Sequence, residues 1–251
     1  MSSGNKIRSV DRDELARLVH ERTPARLLVG RAGQAYTSAT QLQLRADHAA
    51  ARDAIWREFD LLRDIGEELV TRWHIFEVQT CAGSKSEYLL NPPLGRNLPD
   101  EARSEILRRC ASQSDLQIVI GDGLSATAVV TQVPMLLPLL ISDAERRGWS
   151  VGHPFAVRNC RVGVLNAIGE LLQPSVVLLL IGERPGMSTA ESLSAYMAYK
   201  PNARHTDADR NLISNIHARG IPPTEAADAI MELAAKIMRV RRSGTEVRAA
   251  D

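Results

Sequence analysis

Two short apolar runs constrain this chain more than any other feature: LQIVIG (116–121) and SVVLLLIG (175–182). Neither shows the alternation of a strand with one wet face, and each ends in glycine. Such runs are inner strands covered on both sides, as in a parallel sheet with helices on either face. Between them the pattern predicts a helix over Leu137–Arg147, a strand over Pro154–Arg158 and a helix over Val164–Leu172. Upstream, HIFEVQT (74–80) alternates as a strand, and NPPLGRNLPDEARSEILRRC (91–110) reads as a turn and a helix with Asp100 placed to cap it. Downstream, PPTEAADAIMELAAKIMRV (222–240) is a helix with Pro at its start and Ala226, Ile230, Leu233 and Ile237 on one face. Strand, helix, strand, helix predicts an α/β fold, a Rossmann-like doubly wound and mostly parallel sheet.

The first 70 residues have another texture. Leu15, Leu18 and Val19 give Asp11–Arg22 helical spacing. After the loop VGRAG (29–33), apolar residues from Leu42 to Leu62 recur at three- and four-residue steps, which predicts one long helix over Thr37–Asp64. The expected organisation is a small helical domain (1–70) ahead of the Rossmann-like domain (71–251).

Composition excludes whole classes. Thirty-one Lys and Arg against 30 Asp and Glu leave a net charge of +1, without the basic excess of a nucleic-acid binder held by bulk charge. Only four of those cations are Lys, a skew that a GC-rich coding bias explains. The longest apolar runs fall short of the roughly 18–20 residues of a membrane helix, and no basic-then-apolar leader opens the chain. Cys81, Cys110 and Cys160 are odd in number, widely spaced and without a CxxC pair, which suits a reducing compartment. The expected location is the cytoplasm, with no membrane and no nucleic-acid partner.

Open α/β sheets bind ligands beyond the carboxyl ends of their strands. Two unusual loops lie there. Gly121–Ser125 follows the first apolar run, with Ser125 placed to cap a following helix; it is neither a P-loop nor GxGxxG, and it reads as a ligand loop or as a structural turn. Gly182-Glu183-Arg184-Pro185-Gly186-Met187-Ser188 follows the second. A Glu–Arg pair there is partly desolvated, so it is either self-paired or part of a polar ligand site at Glu183. Asp207 and Asp209 have no further ligands at metal-binding spacing and read as caps of a short helix. IHARG around His217 is half of a cobalamin motif, D-x-H-x-x-G, but Asn215 stands where the Asp belongs. A hydrogen-bonded loop histidine is the expectation. HExxH, GxSxG and a cysteine beside a histidine are missing. Ligand loops without an acid, base or nucleophile set suggest a cofactor-holding partner, with no catalytic and no metal-ligating residues of its own.

GDGLSATAV (121–129), RVGVLNAIGELL (161–172), VVLLLIGERPGMSTAESLSAYMAYKP (176–201) and TDADRNLISNIHARGIPPTEAA (206–227) together resemble the small (light) subunit of ethanolamine ammonia-lyase. The resemblance runs in order from about Thr23 through Met238, with VGRAG and ADH (46–48) matching the lead region. It implies a part in an adenosylcobalamin-dependent lyase that turns ethanolamine into acetaldehyde and ammonia by radical chemistry. In that family the substrate site lies in the large subunit and the cofactor lies between the two chains of a hetero-oligomer. The small subunit serves as a Rossmann-like floor. By position, Val162 in RVGV, Glu183 in GERPG and Leu212 in RNLIS match the family's cofactor contacts; relatives carry Cys at the place of Leu212. The family keeps the cofactor's own base on cobalt, which agrees with Asn215 and leaves His217 unligated. Relatives packaged in bacterial microcompartments carry a longer N-terminal extension than the roughly twenty residues before the match here. The competing reading is a stand-alone nucleotide-binding Rossmann module. It needs an acidic residue at a strand end about 20 positions past a glycine turn, where this chain places Asp143 and Glu145 in a helical pattern.

Overall fold

A computed structural model describes residues 11–22, 27, 28, 30–186, 189–245 and 247. Val29 of VGRAG, and Met187 and Ser188 of the second ligand loop, lie outside the described residues, as does the segment before Asp11.

The lead region begins with helix α1 (Arg12–Arg22), a two-residue hairpin β1 (Arg31–Ala32) and β2 (Ala35–Tyr36), and helix α2 (Ser38–Trp56) capped by Thr37. The long helix expected over Thr37–Asp64 stops at Trp56 and resumes as α3 (Leu61–Ile65). The break has a physical cause. The Asp60 side chain accepts from the Arg63 amide at 2.8 Å, and the buried Asp64 carboxylate accepts from the Asp60 amide at 2.9 Å. Those bonds start a new helix in place of continuing the old one. Among the residues of α2 only Ala54 is buried, whereas Ile65 of α3 joins the central core.

The remainder is an α/β body. Helix α4 (Glu67–Arg72) leads to strand β3 (Phe76–Gln79), helix α5 (Lys85–Leu90), a 3-10 turn (Pro92–Arg96) and helix α6 (Asp100–Arg109). Asp100 is the first residue of α6 and Pro99 is its cap, which corrects the expected cap by one position. Then come β4 (Leu116–Gly121), α7 (Ala126–Arg146), β5 (Phe155–Arg158), α8 (Val164–Leu172) and β6 (Val176–Gly182). Strands β7 (Leu193–Tyr199) and β8 (Asn211–Ile216), a 3-10 turn (Asp207–Asp209) between them, and helix α9 (Pro223–Val240) complete it.

The sheet has the order β3-β5-β4-β6-β7-β8. The first four strands are mutually parallel, as the unalternating runs predict, while β7 and β8 add antiparallel to β6. All six residues of β4 and all seven of β6 are buried. Leu116, Ile118, Ile120, Val176, Leu178 and Leu180 join the core under α7 and α9. Val119, Val177, Leu179 and Ile181 join the core under α6 and α8 on the other face. A central strand covered on both sides cannot alternate, which is why these runs stand out in the sequence.

Helix α7 starts at Ala126, directly after the expected cap Ser125, whose hydroxyl accepts from the Ala128 amide, and runs on to Arg146 as one helix with the stretch expected over Leu137–Arg147. It runs through Pro134 and Pro138. Both prolines sit on its half-buried side, while ten other residues of the helix are buried; that packing overrides the two lost backbone bonds. Among the described residues α7 is the one helix long and apolar enough to cross a membrane, and here it packs against both the sheet and α9.

Candidate functional site

The connection after β4 leads to α7 on one face of the sheet, and the connection after β5 leads to α8 on the other. Two neighbouring strands whose loops part in opposite directions leave a crevice at their carboxyl ends. A cleft of about 410 Å³ opens there, bounded by the ends of β4, β5 and β6 and by the faces of β7 and β8. Val162, Glu183 and Leu212 all line it. Val162 lies at the entry to α8, Glu183 follows β6, and Leu212 sits on β8 opposite Tyr196 of β7. Chain folding alone brings these three distant positions together. Leu212 is 45% exposed and offers an apolar surface at the rim.

Glu183 is not paired with Arg184, and no ion pair joins them. Its Oε1 accepts from Ser194 Oγ at 2.6 Å and from the Asn215 amide at 2.9 Å, and its Oε2 accepts from Ser192 Oγ at 2.8 Å. Three neutral donors fix the half-buried carboxylate, no cation among the described residues pairs with it, and Arg184 is exposed. Burial, then the nearby Glu183 charge, raises the Tyr196 phenol above its usual value. His217, as expected, is a hydrogen-bonded loop histidine: Nε2 donates to Asn215 Oδ1 at 2.7 Å, and Nδ1 accepts from the Arg219 amide at 3.2 Å. Both ring nitrogens are occupied within the chain. Burial, followed by Arg219, pushes the imidazole below its ordinary range.

The Gly121–Ser125 loop has a second job. Asp122 is 4% exposed, accepts from the Cys160 amide at 2.9 Å, and faces the Lys85 ammonium at 3.6 Å. Burial pushes its carboxyl above the usual carboxylate range against the pull of Lys85. Gly123 has φ +58°, and a Cβ there would overlap the carbonyl of Gly182; a Cβ on Gly182 would overlap the carbonyl of Ser125. The glycines let the two loops pack against each other. Gly123 and Leu124 also line the cleft.

Several lining residues escaped sequence reasoning. Arg161 stacks its guanidinium 4.2 Å from the Tyr88 ring centroid and donates Nη2 to the Tyr88 carbonyl at 3.2 Å, and its buried Nε has no hydrogen-bond partner. Tyr88 itself is fully buried and donates to the Cys160 carbonyl at 3.1 Å. Ser192 and Ser194 carried a usable signal, two hydroxyls at period two entering a strand. Asp209 completes a capping box with Thr206, and Asp207 pairs with Arg210. Among the described residues no three His, Cys, Asp or Glu side chains form a metal-binding group. Asp143 and Glu145 lie on α7, away from the strand end that the nucleotide-binding reading requires.

Comparison with known proteins agrees with this architecture's sequence signals. Residues 12–248 match the family described as ethanolamine ammonia-lyase light chain (EutC). Three proteins named ethanolamine ammonia-lyase small subunit are among the relatives. That of Clostridium acetobutylicum is 39% identical over 97% of this chain and 98% of its own length. Those of Clostridium perfringens and Listeria monocytogenes are each 40% identical over 90% of this chain and 75% of their own. A match of this extent, covering all the strands and the cleft they form, means that the chain belongs to the ethanolamine ammonia-lyase light-chain family.

Proposed function

We propose that this chain is the small subunit of an adenosylcobalamin-dependent ethanolamine ammonia-lyase, acting in a cytoplasmic hetero-oligomer with a large subunit that contains the substrate site. Its residues 71–251 form a Rossmann-like floor for the cofactor at the subunit interface, behind a helical lead region of residues 1–70. The observation that carries the reading is the convergence of Val162, Glu183 and Leu212 on one cleft at the carboxyl ends of the strands. Enclosure in a bacterial microcompartment is not required by this reading.

The residues present fit a cobalamin. A corrin is a broad, largely apolar plate with a rim of amide side chains. The cleft offers apolar surface from Leu124, Val162, Ile181 and Leu212, an acceptor at Glu183 and a donor with a free valence at Arg161. Its roughly 410 Å³ is the size of a single small-molecule site and encloses part of so large a group, so a second wall from another chain is needed. Bound adenosylcobalamin supplies the reactivity through homolysis of its cobalt–carbon bond. The chain's own work is positional. Val162 and Leu212 exclude water from the plate, and Glu183, held by Ser192, Ser194 and the Asn215 amide, presents a fixed acceptor that needs no reorganisation on binding.

The test is reconstitution. This chain alone should show no ethanolamine deamination, and the purified two-subunit complex supplied with adenosylcobalamin should show it. Deamination by the isolated chain, or a complex that binds no cobalamin by absorbance titration, would overturn the proposal.

A further inference from the structure

A second cleft, of about 500 Å³, adjoins the first across the entry to α8: Val162 lines one and Gly163 lines the other. Its charged and titratable lining is Arg96, Arg103, Arg210, His205, Asp207 and Glu170. Arg96 is laid over Gly163, where an added Cβ would come within 2.8 Å of its Cγ. The Arg210 side chain is only 5% exposed. It donates to Asp207 and, at 3.2 Å, to Asn166, while its buried Nε has no partner. His205 Nε2 accepts from the Asn202 amide group at 3.2 Å, so the ring proton sits on Nδ1, which is also buried and without a partner.

The positive charge of this cleft is poorly compensated. Asp207 is 91% exposed, so water screens much of what it gives Arg210. Glu170 spends Oε1 on the Ala203 amide at 2.8 Å. Among the described residues Arg96 and Arg103 have no ion-pair partner. Burial pulls the Arg210 guanidinium below its ordinary value, and Arg96 pulls in the same direction against Asp207. A nearly buried guanidinium beside a second one, with an imidazole N–H that lacks an acceptor, is the arrangement that an oxyanion completes.

We propose that this second cleft is an oxyanion site that takes a phosphate group through Arg96, Arg103 and Arg210. Two sources share that chemistry. One is a phosphodiester on the molecule bound in the first cleft, and the proposed cofactor carries one in its nucleotide tail; the other is free phosphate. Only the first source rests on the cofactor reading.

The experiment uses the two-subunit complex at low ionic strength. Inorganic phosphate is titrated calorimetrically, and cyanocobalamin and dicyanocobinamide, which lacks the nucleotide and its phosphate, are titrated by absorbance. Arg96→Gln and Arg210→Gln should each weaken phosphate binding about tenfold, while Arg146→Gln, at an exposed site on α7, should not change it. Because Arg96 is exposed, its variant reads the site even where Arg210→Gln perturbs folding. If phosphate competes with cyanocobalamin, and Arg96→Gln weakens cyanocobalamin but not cobinamide, the site holds the tail. If phosphate binds without affecting either, the site serves a free anion. Phosphate binding with no cobalamin binding would keep this site and sink the cofactor reading. No phosphate binding, with both corrinoid affinities unchanged in Arg96→Gln, overturns the proposal.

Discussion

Gly121-Asp122-Gly123 and Gly182-Glu183 end neighbouring parallel strands and differ little in composition, yet their acids have opposite fates. Asp122 turns inward, is 4% exposed, and meets Lys85, whose side chain is 7% exposed. Glu183 turns toward the cleft and is held by two serine hydroxyls and a backbone amide. The first acid holds the loop and its cation in place. The second, with no cation paired to it among the described residues, keeps its charge at the cleft that Glu183 lines. A charge after a buried strand therefore says that something must partner it, while the neighbouring elements decide whether that partner is the chain or a ligand.

The largest expected effect separates the two acids. Asp122→Ala leaves Lys85 buried without its counter-charge and should cost about 3–5 kcal/mol in urea unfolding; a loss below about 1 kcal/mol would mean that the pair is not structural. Gly182→Ala forces a methyl into the Ser125 carbonyl and should cost about 1–3 kcal/mol, read as a shift of the same transition midpoint. Glu183→Gln keeps the shape and most donors satisfied, so stability should change by less than about 1 kcal/mol while cobalamin affinity of the complex drops about tenfold. Equal cobalamin titrations for variant and parent would make Glu183 as structural as Asp122.

Acid should act on the Glu183 side through His217. Its folded pKa lies below the ordinary 6.5, so on acidification the unfolded chain takes up the proton first. This contribution to stability is therefore full above pH 6.5 and declines as pH falls below it. Unfolding midpoints of parent and His217→Gln, compared across that window, check the sign, and a parent that gains relative to the variant on acidification would contradict it. The smallest effect is expected at the exposed rim. Leu212→Cys should change cobalamin affinity less than about threefold by absorbance titration, because apolar contact survives the exchange.

Much of the fold was legible because burial leaves a short-range imprint. The unalternating runs gave β4 and β6, and helix α8 over Val164–Leu172 falls at its expected limits. Strands β7 and β8 were not read. β7 is nearly all buried and lies in a mixed polar–apolar stretch, and β8 is a half-exposed edge strand without a clean period. The continuity of α7 from Ala126 to Arg146 was not legible, because two prolines look like a helix boundary until ten buried residues are packed into the core. At the site, Glu183 stood out as a charge after a buried strand, and Val162 and Leu212 were reached through the family resemblance. Arg161 and Tyr88 went unread, since each matters through a partner far along the chain; Ser192 and Ser194, close in sequence to Glu183, went unread because the strand they enter was not recognised.

The sequence by itself determined the inner strands, the two-sided covering of the sheet and the family, because these depend on composition and spacing within a few turns of chain. Only the tertiary structure decided that residues 162, 183 and 212 share one cleft, that Asp122 spends its charge on Lys85, and that Arg96, Arg103 and Arg210 gather in another. Those outcomes follow from strand order and from which face each crossover takes. Electrostatic partnership acts through space, so no local pattern in the chain encodes it.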